Sequence, residues 1–281
     1  MTDWTLFAVG VVVLTLVLLV LTRRSSEALE GAHIVGVDDQ QRDADRDSDA
    51  VSEDTTEFDT PGEDAGEDTT PPSPVGPSAT PTLTSGLLLL NVALTQGLAL
   101  AALVALAWWT DVPAAAFGVA TDDLAVGVLL AGVALGVAFY IGNEVAAALG
   151  RRFGMPVSER LREAMAPDDA RGWTFLLVVV LPMIAVFEEA LFRGALIGAF
   201  ALGFGVDPWL LAAVSSILFG LGHGAQGRLG VLVTGTLGFG LAAVFVLTGS
   251  LLLVIVVHYV INALEFGVRE GLGWKPLGDA A

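Results

Sequence analysis

The sequence predicts an all-α polytopic membrane bundle of about seven spans, with one disordered acidic linker. Three observations carry that reading. The chain is 54% hydrophobic over 281 residues, and its mean hydropathy is +0.72, which a soluble domain rarely sustains. Its apolar runs mostly reach the ~20 residues that cross a bilayer. Its basic residues are sorted among the connections rather than spread evenly.

The first element is Trp4 to Leu21, followed by Arg23 and Arg24. A signal peptide carries positive charge before its apolar region, whereas this run has Asp3 before it and arginines after it, so residues 1–24 read as an uncleaved transmembrane helix. Residues 25–84 are rich in Asp, Glu, Ser, Thr and Pro, and within 27–83 the only Lys or Arg residues are Arg42 and Arg46. Such a segment cannot bury enough apolar surface to offset its ordering entropy, and it is expected to be a disordered solvating tether. Most of the formal charge of -18 resides there. The acidity, together with Lys275 as the single lysine, is a composition compatible with a salt-adapted archaeal host.

Residues 85–281 form the expected membrane-embedded domain. Its apolar stretches are 85–109, 124–149, 173–200, 208–223, 229–248 and 250–267, of which 208–223 is short. Trp108 and Trp109 stand where an interface belt would be. Asp207 before Pro208 has the form of an N-cap followed by proline at the first helical position. Asn91 and Gln96 read as helix-packing groups, and Asn143 and Glu144 as groups reaching a membrane interface. Between the stretches 124–149 and 173–200, Val157, Leu161 and Met165 recur every four residues, which suits a short amphipathic interfacial helix.

With seven spans, Arg23, Arg24, the arginines of 151–171, Arg228, Arg269 and Lys275 all fall on one side. The connections 110–123, 201–207 and near 249 contain no Lys or Arg. The positive-inside rule then puts the C-terminus and the acidic linker in the cytoplasm of a multi-pass cell-membrane protein. No basic stripe argues for nucleic acid. The absence of cysteine excludes disulfides, thiol nucleophiles and Cys-ligated metal.

Polar residues inside the spans supply the chemistry. In "VFEEALFRGA", residues 186–195, Glu188 lies about 21 Å along a helix starting near Thr174, close to mid-membrane. Glu189 and Arg193 are four apart and can pair on one face. Glu188 is rotated about 100° from Glu189, so its partner is expected from another span. Candidates are His223, at the end of the next stretch, and His258 with Asn262, four apart on the last. Intramembrane ionisable groups are functional hypotheses by default, because each is costly unless satisfied.

A carboxylate in an apolar setting can act as base toward water, and a histidine can orient that water. A second histidine and an amide can donate to a developing oxyanion. Together these would hydrolyse an amide without a covalent nucleophile. Glu188, His223 and His258 also make a two-histidine, one-carboxylate set that suits catalytic zinc, although no H-E-x-x-H helix is present.

Glu188-Glu189-x-x-x-Arg193, then Phe219-x-x-x-His223, then His258-x-x-x-Asn262, within 173–267, resembles the CPBP intramembrane proteases. These include the type II CAAX prenyl endopeptidases and the Abi proteins. The resemblance implies a peptidase acting on a membrane-associated, C-terminally prenylated CAAX-type protein. By the same resemblance, Glu188 is the base, Glu189 and Arg193 shape the site, His223 helps activate water, and His258 and Asn262 form the oxyanion hole. It leaves metal dependence open; no cofactor is favoured, with zinc as the alternative. A non-catalytic immunity or scaffold protein of the Abi type is the competing reading. A proton or ion transporter ranks below it, since no paired repeat of broken helices is visible.

Overall fold

A computed structural model describes residues 1–30, 84–120, 125–153 and 159–274. Its contacts divide the chain into one unit of Met1–Ala28 with Ser85–Ala281 and another of Leu29–Thr84. The expected disordered linker lies almost wholly outside the described residues.

The first unit is helical, with no strand among the described residues. Its helices are α1 (Trp4–Glu30), α2 (Ser85–Trp109), α3 (Val126–Arg152), α4 (Arg160–Met165), α5 (Ala170–Phe204), α6 (Pro208–Gly222), α7 (Gly227–Thr248) and α8 (Leu251–Phe266, continued by wider turns over Gly267–Gly271). Six are long and apolar enough to cross a membrane, and α6 is the shorter seventh apolar helix. The chain is an integral membrane protein built as a helical bundle.

Two features depart from the expected spans. The 35-residue α5 is not a uniform α-helix: Leu176–Val180 and Ala190–Ala199 widen to π-helical turns. Pro182 accounts for the first. It has no N–H for the carbonyl four residues back, and a wider turn beforehand accommodates its ring. The second follows Glu189 directly, and in it Gly194 and Gly198 pack against Phe117 and Ala116 of the turn Ala114–Phe117.

The second departure is α6. Its 15 residues span only about 22 Å, less than the ~30 Å of hydrocarbon. It begins as expected, with Asp207 Oδ1 accepting from the backbone of Trp209 and Leu210. It ends where His223 N–H turns back to the Gly220 carbonyl at 2.9 Å, and one tight turn, Gly224–Gln226, leads into α7.

Glycines set the closest helix approaches. A Cβ on Gly136 of α3 would stand 2.6 Å from Val260, which brings α3 against α8. A Cβ on Gly220 of α6 would stand 2.7 Å from the Val231 carbonyl and 3.1 Å from the Gly235 backbone, so α6 and α7 touch main chain to main chain. α1 joins the bundle through a seam of Phe7, Val11 and Thr15, all buried, with Phe7 edge-on to Phe117 and Phe200.

The connections sort by charge, as the sequence requires. Asp3 N–H bonds the Thr110 carbonyl at 3.0 Å, Leu251 N–H bonds the Gly118 carbonyl at 2.9 Å, and Trp4 packs under Gly203. The connections without Lys or Arg are thus gathered at one end. At the other end Arg162 bonds Glu159, Glu265 and Glu270, and Arg269 bonds Glu144 and Glu159, all within 3.0 Å. The interfacial helix is short: α4 runs Arg160–Met165, with Met165 buried, and Val157 lies outside the described residues. Of the two expected helix-packing groups, Asn91 is exposed, and Gln96 is partly buried with an Oε1 that has no hydrogen-bond partner among the described residues. Trp108 and Trp109 are exposed, as a belt requires.

Candidate active site

Three helices meet around the polar groups. α5 contributes Glu188, Glu189 and Arg193, α6 ends in Phe219 and His223, and α8 contributes His258. Glu189 and Arg193 are 0% and 1% exposed. Charges so deeply buried require a partner and several hydrogen bonds; the partner is present, and all the bonds fall on Glu189 Oε1 and the two terminal Arg193 nitrogens, while Glu189 Oε2 and Arg193 Nε have none among the described residues. Glu189 Oε1 accepts from Arg193 Nη1 at 3.0 Å and from His258 Nδ1 at 2.6 Å. The second Arg193 nitrogen, Nη2, donates to the Gly238 carbonyl of α7 at 2.8 Å. The guanidinium lies over the Phe219 ring, 4.6 Å from its centroid, an arrangement worth most where water is excluded.

The Nδ1 contact orients His258. It directs Nε2 toward Glu188, whose Oε2 is 3.7 Å away. That is too long for a hydrogen bond. Glu188 is half-buried, and its Oε2 has no hydrogen-bond partner. The partner expected from another span is therefore His258, which binds Glu189 directly and faces Glu188 across a gap.

His223 Nδ1 lies 2.8 Å from the Phe219 carbonyl. A carbonyl only accepts, so the proton sits on Nδ1 and Nε2 is free. The Phe219 ring separates the two histidines, at 4.7 Å from His223 and 6.1 Å from His258. Asn262 lies one turn beyond His258, half-buried, with no hydrogen bond to the described residues. Thus Glu188, Glu189, Arg193 and His258 are brought together, His223 flanks them across one aromatic ring, and Asn262 stands next along α8.

Holding each Nδ1 and freeing each Nε2 is also how a metal-binding histidine is oriented. Yet among the described residues no three His, Asp or Glu side chains gather closely enough to hold an ion. The expected zinc set of Glu188, His223 and His258 does not form a ready cage as arranged.

Sequence reasoning missed Gly238 and the Glu189–His258 bond. Four-residue spacing revealed the Glu189–Arg193 pair because both lie on one helix. Nothing local marks a backbone carbonyl 45 residues away as an acceptor.

Residues 170–264 match the family model described as Type II CAAX prenyl endopeptidase Rce1-like. The matched segment runs from the start of α5 into α8 and contains every candidate residue. It bears out the resemblance to the CPBP family and supports a CAAX-type intramembrane peptidase that acts on membrane-associated protein. No curated protein and no solved structure matches the chain.

Proposed function

We propose that the protein hydrolyses a peptide bond near the C-terminus of a membrane-tethered, CAAX-type substrate, with water activated by Glu188. The observation that carries this reading is the buried Glu188 Oε2. It is a carboxylate oxygen without a partner, beside a histidine whose other nitrogen is already committed to Glu189. Buried polar atoms of this kind are ordinarily satisfied by water.

In this scheme Glu188 takes a proton from water while His223 Nε2 orients it. The oxygen bonds to the scissile carbonyl carbon, and the oxyanion receives hydrogen bonds from the Asn262 amide and His258 Nε2. Donation from Nε2 while Nδ1 serves Glu189 requires the doubly protonated ring, here flanked by two carboxylates. Collapse breaks the C–N bond, and Glu188 returns its proton to the leaving amine. Glu189 and Arg193 orient the imidazole without touching the substrate. The same reading puts the arginine-bearing end of the bundle in the cytoplasm.

The direct test uses purified protein in liposomes with a C-terminally prenylated peptide and its unprenylated counterpart. Cleavage of the first, lost in Glu188→Gln, supports the proposal. Equal cleavage of both rejects prenyl selectivity, and normal cleavage by Glu188→Gln rejects the mechanism. Orientation is read by placing a cysteine at Arg171 or at Asp207 in this cysteine-free chain. Labelling of Asp207→Cys from the cytoplasmic side would invert the assignment.

A further inference from the structure

α7 brings no titratable side chain to the candidate site, yet both histidines are registered against it through one residue, Gly238. Its carbonyl receives Arg193 Nη2 at 2.8 Å. Its missing side chain is filled by its neighbours: a Cβ there would stand 2.8 Å from Phe219 Cδ1 and 3.4 Å from Arg193 Nη2. The first distance is shorter than real Cβ contacts allow, and the obstacle is a buried ring rather than the free end of a flexible chain. Two lines of contact diverge from this point. One runs from the Gly238 carbonyl to Arg193, to Glu189 Oε1, to His258 Nδ1. The other runs from the Gly238 Cα to the Phe219 ring, against which His223 packs at 4.7 Å while bonding the Phe219 carbonyl. The main-chain contact of Gly220 with Gly235, one turn away, holds α6 and α7 close enough for Phe219 to lie over Gly238.

We infer that Gly238 is a positioning residue that sets the separation and orientation of His258 and His223 by seating Arg193 and Phe219 together. Its catalytic consequence rests on the proposed hydrolase reading, while its geometric consequence does not. Gly238→Ala pushes the Phe219 ring and the guanidinium apart. The expected result is a kcat lower by about 10- to 100-fold with KM within about twofold, as for sub-ångström displacement of catalytic groups. Phe219→Leu removes the ring that the new methyl meets. The double variant is therefore expected to recover part of the rate lost in Gly238→Ala, a rescue that general loosening of the fold would not produce.

A readout free of substrate separates this inference from the hydrolase reading. The imidazole NMR signals of His223 and His258 are expected to move in Gly238→Ala relative to the parent, and to move less when the same substitution is made in the Phe219→Leu background. Unmoved imidazole signals, or rate losses that simply add in the double variant, would overturn the positioning role. If the signals move but the parent protein cleaves no peptide, the positioning role stands and the hydrolase reading fails.

Discussion

Glu189 Oε1 accepts a hydrogen bond from His258 Nδ1 across 2.6 Å, joining two spans through residues 69 apart in sequence. The same oxygen holds Arg193, so one carboxylate compensates a buried cation and fixes a ring. Replacing it by alanine strands Arg193 without its counter-charge. Glu189→Ala is expected to destabilise the bundle by about 3–5 kcal/mol, the usual effect of leaving a buried charge alone. Glu189→Gln keeps an acceptor and should lose less. Equilibrium unfolding in detergent, compared between the two variants, checks the order; equal losses would show that charge, not hydrogen bonding, is what Glu189 supplies.

Glu188 differs from its neighbour because neither Arg193 nor His258 hydrogen-bonds it, whereas Glu189 Oε1 accepts from both. Glu188→Gln is therefore expected to leave folding nearly unchanged while cleavage falls about 10²–10⁴-fold, the range for loss of a general base. Chelator treatment of the parent protein is expected to leave the rate unaltered. Metal analysis showing stoichiometric zinc lost together with activity would replace the water-activation scheme with a metal-centred one.

Asn262 makes no hydrogen bond to the described residues, and its removal strands no other group. Asn262→Ala should lower kcat about 10²–10³-fold through loss of an oxyanion donor, at unchanged stability. Steady-state kinetics beside a melting curve decides the matter. A variant that loses stability but not turnover per folded molecule would mean that Asn262 only packs.

At the arginine-bearing end, Arg269 donates twice to Glu144 and once to Glu159. Both Arg269 and Glu144 are nearly enclosed, at 7% and 5% side-chain exposure. Arg162 lies nearby; burial opposes its charge, but the hydrogen bond to Glu270 and the charges of Glu265, Glu159 and Glu270 outweigh that and raise its pKa further. Arg269→Ala should cost about 3–5 kcal/mol by stranding Glu144, whereas Arg162→Lys, which keeps the charge but not three donors in a plane, should cost less. Moderate salt is expected to change little, since enclosed pairs are weakly screened. A salt-sensitive loss in the parent protein would mean the cluster is open to solvent.

Much of the fold was legible along the chain. Apolar run length located the spans, because the bilayer imposes a minimum on each crossing. The uneven arginines sorted the connections, and the structure gathers the connections lacking them at one end. Asp207 and Pro208 announced the start of α6, and the Glu189–Arg193 pair followed from helical spacing alone. The shortness of α6 was visible too, although the turn of His223 N–H back to the Gly220 carbonyl that ends it was not.

Sequence by itself determined which segments enter the membrane and which polar residues go with them, since burial in lipid and helical period are properties of neighbouring residues. Tertiary structure decided which polar groups meet. Helical spacing defines a face but not the rotation or depth at which two faces come together. The contacts of His258 with Glu189, of Arg193 with the Gly238 carbonyl, and of the Phe219 ring with the His258 imidazole all cross between helices. They form only because glycines let the backbones approach and because wide turns in α5 shift the facing of its residues, and neither effect can be summed from any one segment.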